Sequence, residues 1–348
     1  MYNRFIQFLI LLTFFVFFTQ VASTQEFSEN KNLQILFYNV ENLFDPFDDS
    51  LTADDEFTPP GYKHWTLKRF NHKINQLYKV IAATGSWDPP GIIGLCEIEN
   101  RWVLERLFHE TPLVKYNYSI VHEDSRDKRG IDVALAYREK CFTVLYSRFI
   151  RVESIKYKDY TTRDILYVKG IAGQKDTLHL FVNHWPSKYG GAAATEKYRL
   201  MAANTLKKAS DSIFYTNPAA KVIAMGDFND RPTSRPLTRL AKPYNPGTEI
   251  VDTVLYNLAY PYQLVNQGTH KYKATWNMID QFIVSGNLLK ACSGYKTSSS
   301  AMTIYRNKSI LEKDERYLGS KPKRTYRGYN YHGGFSDHLP VVLRLTWP

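Results

Sequence analysis

The sequence predicts an α+β fold built in layers, with one β-sheet packed on another and helices outside. Three observations carry that prediction. Short apolar, β-prone runs recur along most of the 348 residues; a few stretches with apolar residues spaced by three and four interrupt them; and no internal repeat or low-complexity linker divides the chain. With 44% apolar residues the chain can fill a large core, and sandwiches of roughly 200–250 residues commonly form one domain.

The elements follow in order. The opening MYNRFIQFLILLTFFVFFTQVASTQ carries Arg4, an apolar run from Phe5 to Phe18 and small residues at Ala22 and Ser23. That layout predicts a signal peptide over residues 1–23 and an exported mature chain, periplasmic or extracellular, because the run is short for a membrane span. No Cys follows it to carry a lipid. Cys96, Cys141 and Cys292 make an odd set for an exported chain; Cys96 sits in an apolar run and reads as buried, and a Cys141–Cys292 bridge stays open.

Residues 33–40, LQILFYNV, form a short strand that ends in polar groups. ENLFDPFDDSLTADDEFTPPGYKHW is rich in acid, Pro and Gly and predicts a long, solvated surface loop whose acids match no EF-hand spacing. Thr66 is placed to cap a helix with apolar positions Leu67, Phe70, Ile74, Leu77, Tyr78 and Ile81, and Gly85 to end it. GIIGLCEIEN reads as a strand ending in acids, residues 102–108 as a helix and GIDVALAYR as a strand. Further strands are expected at 142–145, 165–168, 177–182, 221–227, 279–284 and 340–345, and a helix at about 193–212.

The strand ends repeat one habit. FYN ends at Asn39, GLCE at Glu97, FVNHW at Asn183 and His184, and AMGDFN at Asp227 and Asn229; WNMIDQ holds Asp280, and FSDHLP holds Asp337 and His338. A lone Asp after a strand is usually a turn residue, and a lone Asn-His pair is ordinary. Apolar strands that repeatedly deliver acid, amide or imidazole point instead to one shared rim.

The motifs YNVENLFD, CEIEN, RGIDVAL, VNHWPSKYGG, GDFND and SDHLP, in this order from about residue 33 to 348, resemble the endonuclease/exonuclease/phosphatase superfamily, the DNase I-like fold, and in particular its exported bacterial members. The resemblance implies a single domain over residues 30–348, a four-layer α/β/β/α sandwich of two mixed sheets packed face to face, and a metal-dependent phosphoesterase site at one end. It implies Glu97 as the main metal ligand, with Asn39 and Asp337 beside it. Asp227 and Asn229 match the pair that positions water and phosphate, His184 and His338 the two active-site histidines, and Asp280 the aspartate that orients His338.

Physical chemistry supports that division. Four carboxylates in one pocket repel each other and an anionic substrate unless a cation neutralises them. Mg²⁺, with Mn²⁺ or Ca²⁺ as alternatives, fits oxygen ligands and uses only one or two carboxylates. No Ser or Cys motif offers a covalent nucleophile, so direct attack by water is expected. Candidate substrate contacts are Asn183, Arg126, Arg129 and Lys188, with Lys128 and Asp132 in the same DSRDKRGID stretch as Arg126 and Arg129.

Lys and Arg number 45 against 34 Asp and Glu, a net charge of +11 that favours anionic partners. The leading expectation is a monomeric nuclease cleaving DNA or RNA. The alternative is a hydrolase of small phosphoesters or lipid headgroups on the same catalytic set, and a third reading, a binding protein without catalysis, fits poorly with two histidines set beside four acids.

Overall fold

Period-two alternation decides the layers. The structure, a computed structural model, describes residues 32–347 apart from 87, 154, 158–159, 174–175, 246 and 248. The leader expected at 1–23 lies outside the described residues. The strands that build the two large sheets are β1 (Asn32–Leu43), β2 (Ile92–Ile98), β3 (Tyr118–Val121), β4 (Asp132–Arg138), β5 (Phe142–Ile150), β6 (Ile165–Ala172), β7 (Asp176–His184), β8 (Lys221–Asp227), β9 (Lys242–Pro243), β10 (Leu255–Asn257), β11 (Asp280–Ser285), β12 (Met302–Ile304) and β13 (Val341–Thr346). The helices packed on them are α1 (Leu67–Thr84), α2 (Arg101–His109), α3 (Ala192–Thr216) and α4 (Arg235–Leu240).

The first sheet has six strands in the order β12-β13-β1-β2-β4-β3, and the second has seven in the order β5-β6-β7-β8-β11-β10-β9. Both are mixed: β1/β2 and β7/β8 run parallel, while β1/β13, β2/β4 and β8/β11 run antiparallel. Along β1, Leu33, Ile35 and Phe37 point between the sheets, where they meet Leu180 and Val182 of β7 and Met225 of β8. The alternate residues Leu36, Tyr38 and Val40 point outward, onto Phe70, Ile74 and Leu77 of α1 and Leu104 of α2. On the second sheet, Phe181, Val222 and Ala224 face out onto Ala202 and Leu206 of α3 and Leu237 of α4. Each fully buried Val, Leu, Ile, Phe or Met side chain among them stabilises the fold by about 1.5–3 kcal/mol. The expected four-layer α/β/β/α sandwich is the observed one.

Local chemistry also sets the helix ends. Thr66 accepts a hydrogen bond from the Arg69 amide at 3.4 Å, and Gly85 closes the helix, as expected. Two positions on α1 differ from the sequence reading. Leu67, in the first turn, is 48% exposed, whereas Lys73 lies on the apolar face and is 1% exposed. Helical spacing locates the buried stripe but does not exclude a long cation whose head finds partners beyond it.

The acidic segment after β1 is a second correction. It was expected to be a solvated loop, yet Phe44, Phe57 and Trp65 are buried. Phe44 stacks on Phe57 at 4.3 Å between ring centroids, and Trp65 Nε1 donates to the Phe44 carbonyl at 2.8 Å. Asp45 and Asp54 are buried too, accepting from the backbone amides of Phe47 and Asp49 at 2.7 and 3.1 Å. Aromatic anchors, invisible to a composition argument, pull the acids into turns. The strands β3, β9, β10 and β12 were not expected, being only two to four residues long. The three cysteines are free thiols and Cys96 is buried, so no Cys141–Cys292 bridge forms.

Two outcomes follow from these contacts. A Cβ on Gly226 would stand 2.5 Å from the Asn183 carbonyl oxygen, which belongs to the neighbouring strand backbone and cannot swing away. Gly226→Ala should therefore lower stability by about 1–3 kcal/mol, read from the urea midpoint at unchanged slope. Glu99, just past β2, is buried, accepts from the Asp45 amide and has its carboxyl pushed up to about 9 by burial. The folded chain thus keeps a proton that the unfolded chain releases at ordinary carboxylate pH, so stability falls as pH rises toward about 9. Glu99→Gln should flatten that fall between pH 5 and 8; an unaltered slope in urea midpoint against pH would refute it.

Candidate active site

Strand register brings the polar ends together. β7 and β8 pair in parallel so that His184 lies beside Asp227, and β8 and β11 pair antiparallel so that Asp280 lies on the other side of Asp227. β1 and β2 pair in parallel with Asn39 beside Cys96, one residue before Glu97. Both sheets therefore present their polar ends at the same edge of the sandwich. Asp337 and His338 arrive on the segment leading into β13.

The Asp227 Oδ2 atom is the meeting point. It accepts from Asn39 Nδ2 at 3.1 Å and stands 3.9 Å from Nε2 of both His184 and His338. The Asn39 amide also donates to Glu97 Oε1 at 3.1 Å, so one side chain ties the first sheet to the second. Glu97 Oε2 accepts from the Asn42 amide at 2.8 Å. Asp227 Oδ1 accepts from the Asn229 amide at 2.8 Å, and Asn229 Nδ2 donates to the Trp185 carbonyl at 2.9 Å. His338 Nδ1 is bonded to Asp280 Oδ2 at 2.8 Å, the orientation expected for that pair.

The backbone is bent to aim these groups. The β1/β2 pairing shifts register after Asn39, and the β2/β4 pairing shifts between Cys96 and Ile98. At these breaks Glu41, Asn42 and Glu97 adopt φ of 54°, 50° and 62°, and Asn229 adopts 49°. Left-handed conformations are costly for side-chain-bearing residues, and bulges re-aim side chains next to active sites.

Exposure sorts the carboxylates. The side chains of Glu97 and Asp337 are 16% and 20% exposed, while those of Asp227 and Asp280 are 2% and 1%. Burial, then Asp280, pushes Asp227 up to about 7. Burial also raises Asp337, but Arg324, His338, His270 and Lys73 outweigh it and hold that carboxyl at about 2. Burial drives His184 well below the usual imidazole range, with Arg163 and Arg129 adding to it, so the ring is neutral. His338 is lifted well above that range because Asp280, Asp227 and Asp337 outweigh its burial.

A divalent cation fits this donor set. The carboxylates outnumber the nearby fixed cations, and Asp280 Oδ1 is buried without a hydrogen-bond partner. Glu97 and Asp337 are the two of these carboxylates that open to solvent. Asn39, expected beside them as a ligand, is fully buried, and its oxygen accepts from the Glu41 amide at 3.0 Å.

The expected substrate contacts divide. Arg129, with Lys128 and Arg163, lines a cleft of about 460 Å³ that also includes Tyr160, Tyr189 and Tyr198, and Asp127, which pairs with Arg129 at 3.4 Å and with Arg163 at 3.0 Å. Arg126 is paired with Glu153 at 2.7 Å and does not line the cleft, and Lys188 is paired with Asp230 at 2.8 Å. Asn183 is fully buried, donating to the Met225 carbonyl and accepting from Trp185 Nε1, both at 3.2 Å. It holds the strand end in place and has no surface to offer a substrate.

Four residues at the rim escaped the sequence reading. Glu41 is 4% exposed and accepts from Arg324 Nε at 3.1 Å and from the Thr325 amide at 2.7 Å. Arg324 also donates to Asp337 Oδ2 at 2.9 Å. Lys73 lies 3.9 Å from Glu41 and donates to Thr325 Oγ1 at 2.6 Å. His270 Nε2 stands 3.9 Å from Asp337 Oδ2. Only Glu41 carried a signal, since it follows Asn39 by two on the same strand.

Comparison with solved structures places this geometry among known folds. The chain shares 15% identity with a humanised Danio rerio TDP2, covering 91% of this chain and 99% of that one with a TM-score of 0.56. The human Nocturnin catalytic domain, solved with a bound sulfate anion, is 16% identical, with 91% and 95% covered and a TM-score of 0.52. An endonuclease/exonuclease/phosphatase family protein from Bacteroides thetaiotaomicron is 16% identical, with 91% and 98% covered and a TM-score of 0.52. Among curated protein sequences nothing matches. The sequence profile of the Endonuclease/Exonuclease/phosphatase family matches residues 34–347. A match of that extent carries more than a shared fold: the chain belongs to this family and is a metal-dependent phosphoesterase.

Proposed function

We propose that the chain is an exported nuclease that hydrolyses the phosphodiester bonds of nucleic acid with Mg²⁺ as its ion. The observation that carries the substrate is the basic, tyrosine-lined cleft beside His184. Arg163 Nη2 and Asn229 Nδ2 both donate to the Trp185 carbonyl at 2.9 Å, so the cleft shares its wall with the catalytic rim. Within it, Tyr160 stacks on Tyr198 with centroids 3.7 Å apart, and Tyr189 is 93% exposed. Cations that track a phosphate backbone beside aromatic faces are the general recipe for single-stranded nucleic acid. A Danio rerio TDP2 solved with a single-strand DNA product has the same fold, at 15% identity and a TM-score of 0.52. The leader-like segment at 1–23 supports export.

Chemically, Glu97 and Asp337 would hold the ion, which when bound would offset the negative charge of the phosphoryl oxygens. Asp227 offers Oδ2 as the acceptor that orients the attacking water, its other oxygen being fixed by the Asn229 amide. His338, kept protonated by three carboxylates and aimed by Asp280, donates to the charge that develops on the phosphate. His184, neutral and with Nε2 turned toward Glu97 and Asp227, completes the rim as a hydrogen-bonding group without adding charge.

Asp280→Asn should lower kcat on a phosphodiester by about 10²–10⁴-fold with little change in KM, because it removes the orientation and charge of His338 without touching the binding cleft. Near-normal kcat would remove the pair from the mechanism. Replacing Lys128 and Arg129 by Ala should reduce the salt slope of oligonucleotide binding by about 0.7 per lost phosphate contact, while turnover of a small chromogenic phosphodiester changes far less. Equal loss on both substrates would favour a small-phosphoester hydrolase, and activity untouched by EDTA would remove the ion from the scheme.

A further inference from the structure

A loop of ten residues, 122–131, joins β3 to β4 and carries the cations Arg126, Lys128 and Arg129. Its ends are His122, directly after Val121, and Asp132, the first residue of β4. The His122 side chain is only 2% exposed. Its Nε2 is buried with no hydrogen-bond partner, and its Nδ1 stands 3.9 Å from Asp124 Oδ1, too far for a hydrogen bond. A buried imidazole left in that condition costs about 1–3 kcal/mol. Such a cost calls for a ligand.

The ligand's chemistry follows from the neighbours. One ligand atom each from His122, Asp124 and Asp132 lie within 4.8 Å of one another. Asp132 is buried, with Oδ1 accepting from the Ser125 amide at 3.1 Å. A neutral imidazole offers a lone pair for coordination. An imidazole nitrogen with two carboxylates neutralises a divalent charge and leaves room for water, a donor set that suits Zn²⁺. Tetrahedral Zn²⁺ needs donor atoms about 3.4 Å apart; Asp124, whose side chain is 76% exposed, is free to close that gap.

We propose that His122, Asp124 and Asp132 bind a Zn²⁺ ion, separate from the phosphoesterase centre, that clips together the two ends of the loop presenting Lys128 and Arg129 to the cleft. None of the three belongs to the set around Asp227. The loop has its own internal ties, with Gly130 donating to the Asp127 carbonyl at 3.0 Å and Arg163 pairing with Asp127 at 3.0 Å. These hold its far side, whereas the ion secures its base.

Hydrogen exchange of residues 122–132, followed by mass spectrometry on the full chain with and without Zn²⁺, tests this directly. At free Zn²⁺ tenfold above its dissociation constant, exchange through local opening should slow by about tenfold in the wild type. The slowing should vanish in His122→Gln and in Asp124→Ala, the second of which alters an exposed side chain and does not threaten the fold. Both variants retain the phosphoesterase centre, so protection that arises from an ion bound there would persist in them. No slowing in the wild type, or full slowing in either variant, overturns the proposal.

Discussion

The rim depends on keeping one buried carboxylate, Asp227, between two sheets. A carboxylate taken out of water is costly unless it is bonded and offset. Here an amide from β1, a backbone amide from its own loop and two imidazoles surround it. The Asn39 to Asp227 bond crosses from the first sheet to the second, so the face-to-face packing of the sandwich is itself a condition for the site. Loosen that packing, and Asp227 loses both its position and its neighbours.

That position is obtained with backbone strain. Glu97 turns its side chain toward Asn39 only because β2 breaks register between Cys96 and Ile98 and places Glu97 in the left-handed region. Asn229 does the same after β8. Neither is glycine; Asn enters this region more readily than most residues, but Glu does not. Compensating contacts offset the cost: Glu97 gains the Asn42 amide and the Asn39 side chain, and Asn229 gains Asp227 and the Trp185 carbonyl. Strain at these two points is tolerated because hydrogen bonds hold both carboxylate oxygens of Glu97 and both the backbone amide and the side chain of Asn229.

The layers and the strand ends were legible because both rest on local pattern. Alternation in LQILFYNV sends Leu33, Ile35 and Phe37 one way and Leu36 and Tyr38 the other, and polar groups at strand ends mark where a sheet edge meets solvent. What stayed hidden depends on partners far along the chain. Lys73 hid on an apolar helix face because its acceptors, Thr325 and Phe335, are more than 250 residues away. Arg324 sits in an irregular stretch, KPKRTYRG, with no periodicity to flag it. Asn183 misled in the opposite sense, since a polar residue beside His184 looks like a rim group but alternation along β7 puts it on the helix-facing side with Phe181, buried against Trp185 and the β8 backbone.

The two histidines illustrate how environment, not identity, assigns roles. Both turn Nε2 to the same oxygen of Asp227 at 3.9 Å, yet one is neutral and the other charged. His338 has Asp280 bonded to its far nitrogen, so a carboxylate stabilises the imidazolium from behind. The far nitrogen of His184 is buried with no partner at all, and the guanidinium groups of Arg163 and Arg129 add to the cost of protonation. Pushing two like groups apart in this way is how a fold obtains one charged and one neutral imidazole from one residue type. It follows that the charge at the rim is decided behind the imidazoles, by Asp280 on one side and by burial on the other, and that exchanging these settings would reverse the roles while leaving every first contact to Asp227 in place.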